Sequence, residues 1–148
     1  MKAKWTTRAV AETESLGRAI GERLLPGDVV LLRGELGAGK TVLSRGIARG
    51  LGIEGVIASP TYTLLHCHEG EPPLHHFDLY RLDGAGAFDG AGLADFLGGD
   101  AVSLVEWPER CEAVLPASCL EIAIAYGAEE NERVITLLPK GGFREVRL

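Results

Sequence analysis

The chain has 148 residues, 46% of them hydrophobic, and a formal net charge of −6 at pH 7. That length and apolar content give one domain over residues 1–148 with a substantial core, and no apolar run approaches the ~20 residues of a membrane span. The excess of acid argues against a chain that grips nucleic acid by itself, for which a basic face is needed. The chain opens on Met1-Lys2-Ala3-Lys4-Trp5, basic but with no apolar signal region after it, so a cytoplasmic location is the expectation. Residues 4–9 read as a short strand. Thr13 with Glu12 and Glu14 marks a helix start, and Leu16, Ala19, Ile20 and Leu24 give that helix one apolar face before Pro26-Gly27-Asp28 ends it.

Val29-Val30-Leu31-Leu32 follows as a strand buried on both faces. Next comes Gly34-Glu35-Leu36-Gly37-Ala38-Gly39-Lys40-Thr41, the pattern G-x-x-x-x-G-K-T of a phosphate-binding P-loop. Leu43, Ile47 and Leu51 then recur at helical spacing. Strand, glycine loop and helix are the context the motif requires. Glycines let the backbone come close to phosphates with successive N–H groups turned inward, and the helix amino terminus adds unpaired N–H groups and the positive end of its dipole. Lys40 is suited to neutralise β- and γ-phosphate oxygens, and the Thr41 hydroxyl to bind Mg²⁺.

Ser59-Pro60-Thr61-Tyr62-Thr63-Leu64 reads as an extended segment that pairs in a hairpin with Leu74-His75-His76-Phe77-Asp78-Leu79-Tyr80 across the turn at Glu69-Gly70-Glu71-Pro72-Pro73. Residues 83–99, rich in glycine and alanine, read as short helical pieces anchored by Leu93, Phe96 and Leu97. Val102-Ser103-Leu104-Val105 is a second buried strand, ending at Glu106-Trp107-Pro108. Residues 120–124, 134–138 and 143–148 then read as an antiparallel meander finishing a mixed sheet.

A P-loop needs an acid at the carboxyl end of a neighbouring strand to hold the metal. Asp78 and Glu106 both occupy such ends, one suited to the metal and the other to the attacking water, and the residues alone do not apportion the two tasks. Thr61 and Thr63 lie where nucleotide hydrolases carry a switch segment, or else simply build a strand. His66, Cys67, His68, His75 and His76 could be a zinc set, but no second ligand pair is fixed and exposed polar strand residues are the better reading. Cys67, Cys111 and Cys119 lack C-x-x-C spacing and suggest neither a disulfide framework nor a zinc knuckle. Trp107 is either a core aromatic or a wall near the nucleotide. Arg81, Arg110 and Arg133 are candidate phosphate or partner contacts, with exposed surface as the default reading.

The P-loop block, Ser59-Pro60-Thr61-Tyr62-Thr63-Leu64, His76-Phe77-Asp78-Leu79-Tyr80-Arg81-Leu82 and Val105-Glu106-Trp107-Pro108-Glu109-Arg110 occur in this order and at suitable spacing. Together they resemble the bacterial TsaE (YjeE) family of small P-loop ATPases over most of the chain. The resemblance implies an α/β fold, P-loop NTPase-like and three-layered, with a mixed parallel and antiparallel sheet. It implies an ATPase that supports TsaB and TsaD in forming threonylcarbamoyladenosine beside the anticodon of tRNAs reading codons that begin with A, meeting tRNA only through that complex. It implies that Leu36, Gly37, Ala38, Gly39, Lys40 and Thr41 bind the ATP phosphates and that Thr41 and Glu106 hold Mg²⁺. By the same resemblance Asp78 is the essential acid, Thr61 belongs to the switch-like segment, and Trp107 lies close to the site. Val42 stands where members usually carry a second threonine. Two other readings of the P-loop are a stand-alone small-molecule kinase, which should carry an Arg-bearing lid that no Arg-rich insertion after Gly52 supplies, and a nucleotide-dependent switch with negligible turnover.

Overall fold

Alternation of apolar side chains sets the architecture. In the strand Val29–Arg33 (β2), Val30 and Leu32 face one hydrophobic cluster while Val29 and Leu31 face another. A strand with both faces apolar must be covered on both sides, and in the computed structural model, which describes residues 2–55, 57 and 64–148, it is. Its neighbours are the parallel strands Val102–Glu106 (β5) and Cys119–Tyr126 (β6). Outside β5 lies Leu74–Asp78 (β4), also parallel, followed by Leu65–His68 (β3), antiparallel. On the other flank Arg133–Lys140 (β7) and Ala3–Thr7 (β1) add antiparallel strands, giving the order β1-β7-β6-β2-β5-β4-β3.

The helices Val10–Gly21 (α1) and Lys40–Gly50 (α2) cover one face, burying Ile20, Leu43 and Ile47, with Leu24 just past α1, on Val30, Leu32, Leu104 and Ile122. The short helix Ala85–Gly90 (α3) and the 3-10 turn Leu93–Phe96 bring Phe88 and Leu93 to the other, against Leu31, Phe77 and Val105. These are the three layers of a P-loop NTPase-like α/β fold. The two large helices touch backbone to backbone. A Cβ at Gly21 would fall 2.2 Å from the Ile47 carbonyl oxygen, and one at Gly46 or Gly50 would fall 2.2 Å from that of Glu14 or Arg18.

The expected hairpin is present: β3 pairs with β4 from Leu65 opposite Phe77 to His68 opposite Leu74, and of the segment 59–64 expected to pair there, residues 59–63 lie outside the described residues. Two expectations need correction. Residues 143–148 form no strand; the place beside β7 is taken by β1, whose Trp5 packs on the core. Helix α1 begins at Val10, ahead of the acidic residues, because the chain leaves β1 extended at Ala9 and the Thr7 and Thr13 hydroxyls, 2.7 Å apart, close that corner.

Candidate nucleotide site

Three parallel strands end side by side at one edge of the sheet, and alternation decides which side chains meet there. Asp78 of β4 is directly opposite Glu106 of β5. Leu74, Val102 and Leu104 belong to the cluster under α2, so His76, Asp78 and Glu106, in step with them, face the same way. From β2 the chain enters the P-loop, and α2 starts at Lys40. Lys40, Asp78 and Glu106 are thereby gathered at the carboxyl edge of the sheet, where ligands bind in open α/β folds.

The loop has the backbone its sequence requires. Gly37 and Gly39 take φ of 78° and 107°, a region that side-chain-bearing residues rarely adopt. Ala38 is buried, and its carbonyl accepts from Arg133 Nε at 3.0 Å; that of Leu36 accepts from the Tyr126 hydroxyl at 3.2 Å. Arg133 and Tyr126 thus brace the loop from β7 and β6. The Leu36 side chain itself is exposed, as is Thr41.

Lys40 is only 7% exposed, and its ammonium makes no hydrogen bond among the described residues. It lies 3.7 Å from the centroid of the Trp107 ring. Burial pushes its pKa down, against the pull of Glu106, Asp78 and Glu109. Trp107 reaches it by a strained turn: its φ of 57° is the single positive value at a non-glycine position among the described residues. That conformation costs on the order of 1–2 kcal/mol. Trp107 also packs on Tyr80 at 4.8 Å, and the Arg110 guanidinium lies 5.2 Å from the Tyr80 ring.

The two acids differ. Asp78 is half-buried and accepts from the Tyr80 backbone N–H at 3.0 Å. Burial raises its pKa, with the Tyr80 bond opposing, Glu106 adding, and Lys40 and His76 opposing. Glu106 is 2% exposed, and its Oε2 lies 2.5 Å from His76 Nε2. His76, read as an exposed strand residue, is in fact fully buried. The signal for that was its place in step with Leu74 on an inward-facing strand. Zinc has no set to hold it: among the described residues no group of three or more His, Cys, Asp or Glu is arranged for a metal.

Beside the loop a pocket of about 190 Å³ opens between Val10 and Thr13 of α1, Gly37 and Gly39, Val42 and Arg133. No local motif marks it, because α1 and β7 reach it from opposite ends of the chain. Thr61 lies outside the described residues. No helix among the described residues is long and apolar enough to cross a membrane.

A mixed sheet with a parallel centre, a glycine loop at the carboxyl end of its central strand and a buried lysine at the start of the next helix define a protein of the P-loop NTPase-like class. Comparison with known proteins narrows this. Residues 7–135 match the family described as "Threonylcarbamoyl adenosine biosynthesis protein TsaE", and the chain belongs to that family. It is 38% identical over 144 residues to the tRNA threonylcarbamoyladenosine biosynthesis protein TsaE of Bacillus subtilis, covering 97% of this chain and 89% of that one. The Treponema pallidum protein of the same name is 38% identical over 128 residues, covering 86% of this chain and 95% of its own. The crystal structure of Bacillus subtilis YdiB superposes with a TM-score of 0.83 at 35% identity, over 95% of this chain and 87% of that one.

Proposed function

We propose that this chain is a Mg²⁺-dependent ATPase that serves TsaB and TsaD in forming threonylcarbamoyladenosine on tRNA. The observation that carries the reading is Lys40, a buried ammonium without a hydrogen-bond partner among the described residues, at the head of a P-loop helix and beside two strand-end carboxylates. An orphaned buried cation next to inward-turned N–H groups fits a polyphosphate. The Thr41 hydroxyl and Glu106 carboxylate are oxygen donors of the kind a hard divalent cation takes.

Water attacks the γ-phosphorus in line with the leaving oxygen. Residues 36–41 hold the phosphates through backbone N–H groups, and Lys40 leaves the Trp107 face to neutralise the β- and γ-oxygens. Thr41 and Glu106 would hold Mg²⁺, which when bound spreads the negative charge of the β- and γ-phosphates. Asp78, whose proton affinity burial raises, orients the water and accepts its proton. The pocket beside Val10 and Arg133 takes the base and ribose.

The test is phosphate release by the purified protein, alone and with TsaB and TsaD, beside Glu106→Ala. Turnover should require Mg²⁺, rise with the partners and fall at least ~10-fold in the variant, with nucleotide binding better preserved. Parental turnover in Glu106→Ala would remove that residue from the mechanism. Transfer of phosphate to a small acceptor would make the protein a kinase, and binding without turnover would make it a switch.

A further inference from the structure

We infer that His76 is a positioning residue whose imidazole fixes the Glu106 carboxylate in the orientation in which it meets a divalent cation. The inference rests on Glu106 being the metal-holding acid proposed above.

The sequence makes the contact unavoidable once the strands pair. His76 is two residues before Asp78, hence on the same face, and Asp78 is level with Glu106. The His76 ring is therefore inside the sheet–helix layer, one step behind the site edge. Its Nε2 lies 2.5 Å from Glu106 Oε2, with both side chains out of solvent. A carboxylate that ligates a metal only accepts, so in this bond Nε2–H donates.

Packing alone does not ask for histidine here. Leu74 and Phe77 of the same strand are fully buried and apolar. A buried polar ring is unfavourable unless its nitrogens are bonded, and His76 Nδ1 has no partner among the described residues. The bond to Glu106 is the contact that compensates the burial, so the ring's chemistry is directed at that carboxylate. Glutamate has three rotatable bonds, and nothing in a strand end fixes them. With Oε2 held by the imidazole, Oε1 is left to meet the cation or a water it carries. This inverts the usual pairing, in which a carboxylate orients a metal-bound histidine, but the physical effect on the ligand is the same. His76 touches neither nucleotide nor metal and acts through Glu106.

The experiment is Mn²⁺ binding to the protein–ADP complex by electron paramagnetic resonance, with metal-free ADP affinity by calorimetry, for His76→Phe, His76→Gln and Glu106→Ala. Phenylalanine keeps the ring volume without a donor, whereas the longer glutamine amide can place an N–H where Nε2–H is. His76→Phe should weaken Mn²⁺ binding by about 10–100-fold and leave metal-free ADP affinity within about twofold. His76→Gln should recover most of the loss. Parental Mn²⁺ affinity in a folded His76→Phe, beside weakened affinity in Glu106→Ala, overturns the inference alone. Parental affinity in Glu106→Ala overturns the metal-ligand reading and this inference with it. If His76→Phe does not fold, His76→Asn, too short to reach Oε2, replaces it, and equal affinities for Asn and Gln overturn the inference.

Discussion

The central strand β2 has a buried charge beyond each of its ends, and the two are treated in opposite ways. At the amino end Asp28, 9% exposed, accepts from the Leu25 N–H at 2.7 Å and from two nitrogens of Arg144 at 2.9 and 2.6 Å. At the carboxyl end, across the P-loop, Lys40 is as deeply buried and makes no hydrogen bond among the described residues. A buried charge is tolerated when its partners are supplied. Asp28 receives its partners from the chain, fastening the β2 entry to the tail. Lys40 is kept waiting on an aromatic face for partners from outside. Burial does not distinguish structure from site here; satisfaction does.

Lys40→Ala should separate the two charges most. It should lower ATP hydrolysis at least ~100-fold while leaving the thermal midpoint of the nucleotide-free protein within a few degrees. Calorimetric melting beside a phosphate-release assay reads both, and a collapse in the midpoint would show the ammonium to be structural after all. Asp28→Asn should do the reverse. It weakens a charged pair whose arginine is half-exposed, so urea unfolding should show a loss of about 2–3 kcal/mol, with nucleotide affinity unchanged.

Glu121 gives the smallest and most graded effect. It lies on the α3 face of β6, paired with Arg33 and Lys140, while Arg33 also reaches Glu109 and Glu112. Burial alone would raise its pKa, but the hydrogen bonds and charges of Lys140 and Arg33 outweigh that and hold it below the usual carboxylate range. The folded protein therefore favours the ionised form. The resulting stability is present above pH ~4.3 and is lost as pH falls through the lowered folded value. Glu121→Gln should cost about 1 kcal/mol at pH 7, and the gap from the parent should close as unfolding is followed down to pH 3. A gap of constant size across that range would mean that packing, and not charge, holds Glu121.

What was legible in the sequence was what short range dictates. The P-loop announces itself in eight consecutive residues, and Asp78 and Glu106 are legible as strand ends because each closes a strand-like segment. Their alignment on neighbouring strands follows from a parallel register that no local pattern encodes. The bond from His76 to Glu106 joins residues thirty apart and becomes visible only when strand pairing is known. Placing β1 beside β7 joins the two ends of the chain, and the apolar residues of 143–148 mimicked a strand that the sheet had already supplied from elsewhere. The hairpin is legible from the turn at residues 69–73, whereas the pairing of Leu65–His68 is not, because that segment has none of the β-branched residues, Tyr, Phe or Trp that mark a strand.

The glycines between α1 and α2 bear on how this protein can be engineered. Replacing a helical glycine by alanine is a standard stabilising exchange, gaining up to ~1 kcal/mol from helix propensity. At Gly21, Gly46 and Gly50 the added methyl meets main-chain oxygen at 2.2 Å, with no side-chain rotamer nearby to give way. A propensity-guided redesign would choose these positions first and would pry the P-loop helix from its neighbour. Here the missing atoms are the interface.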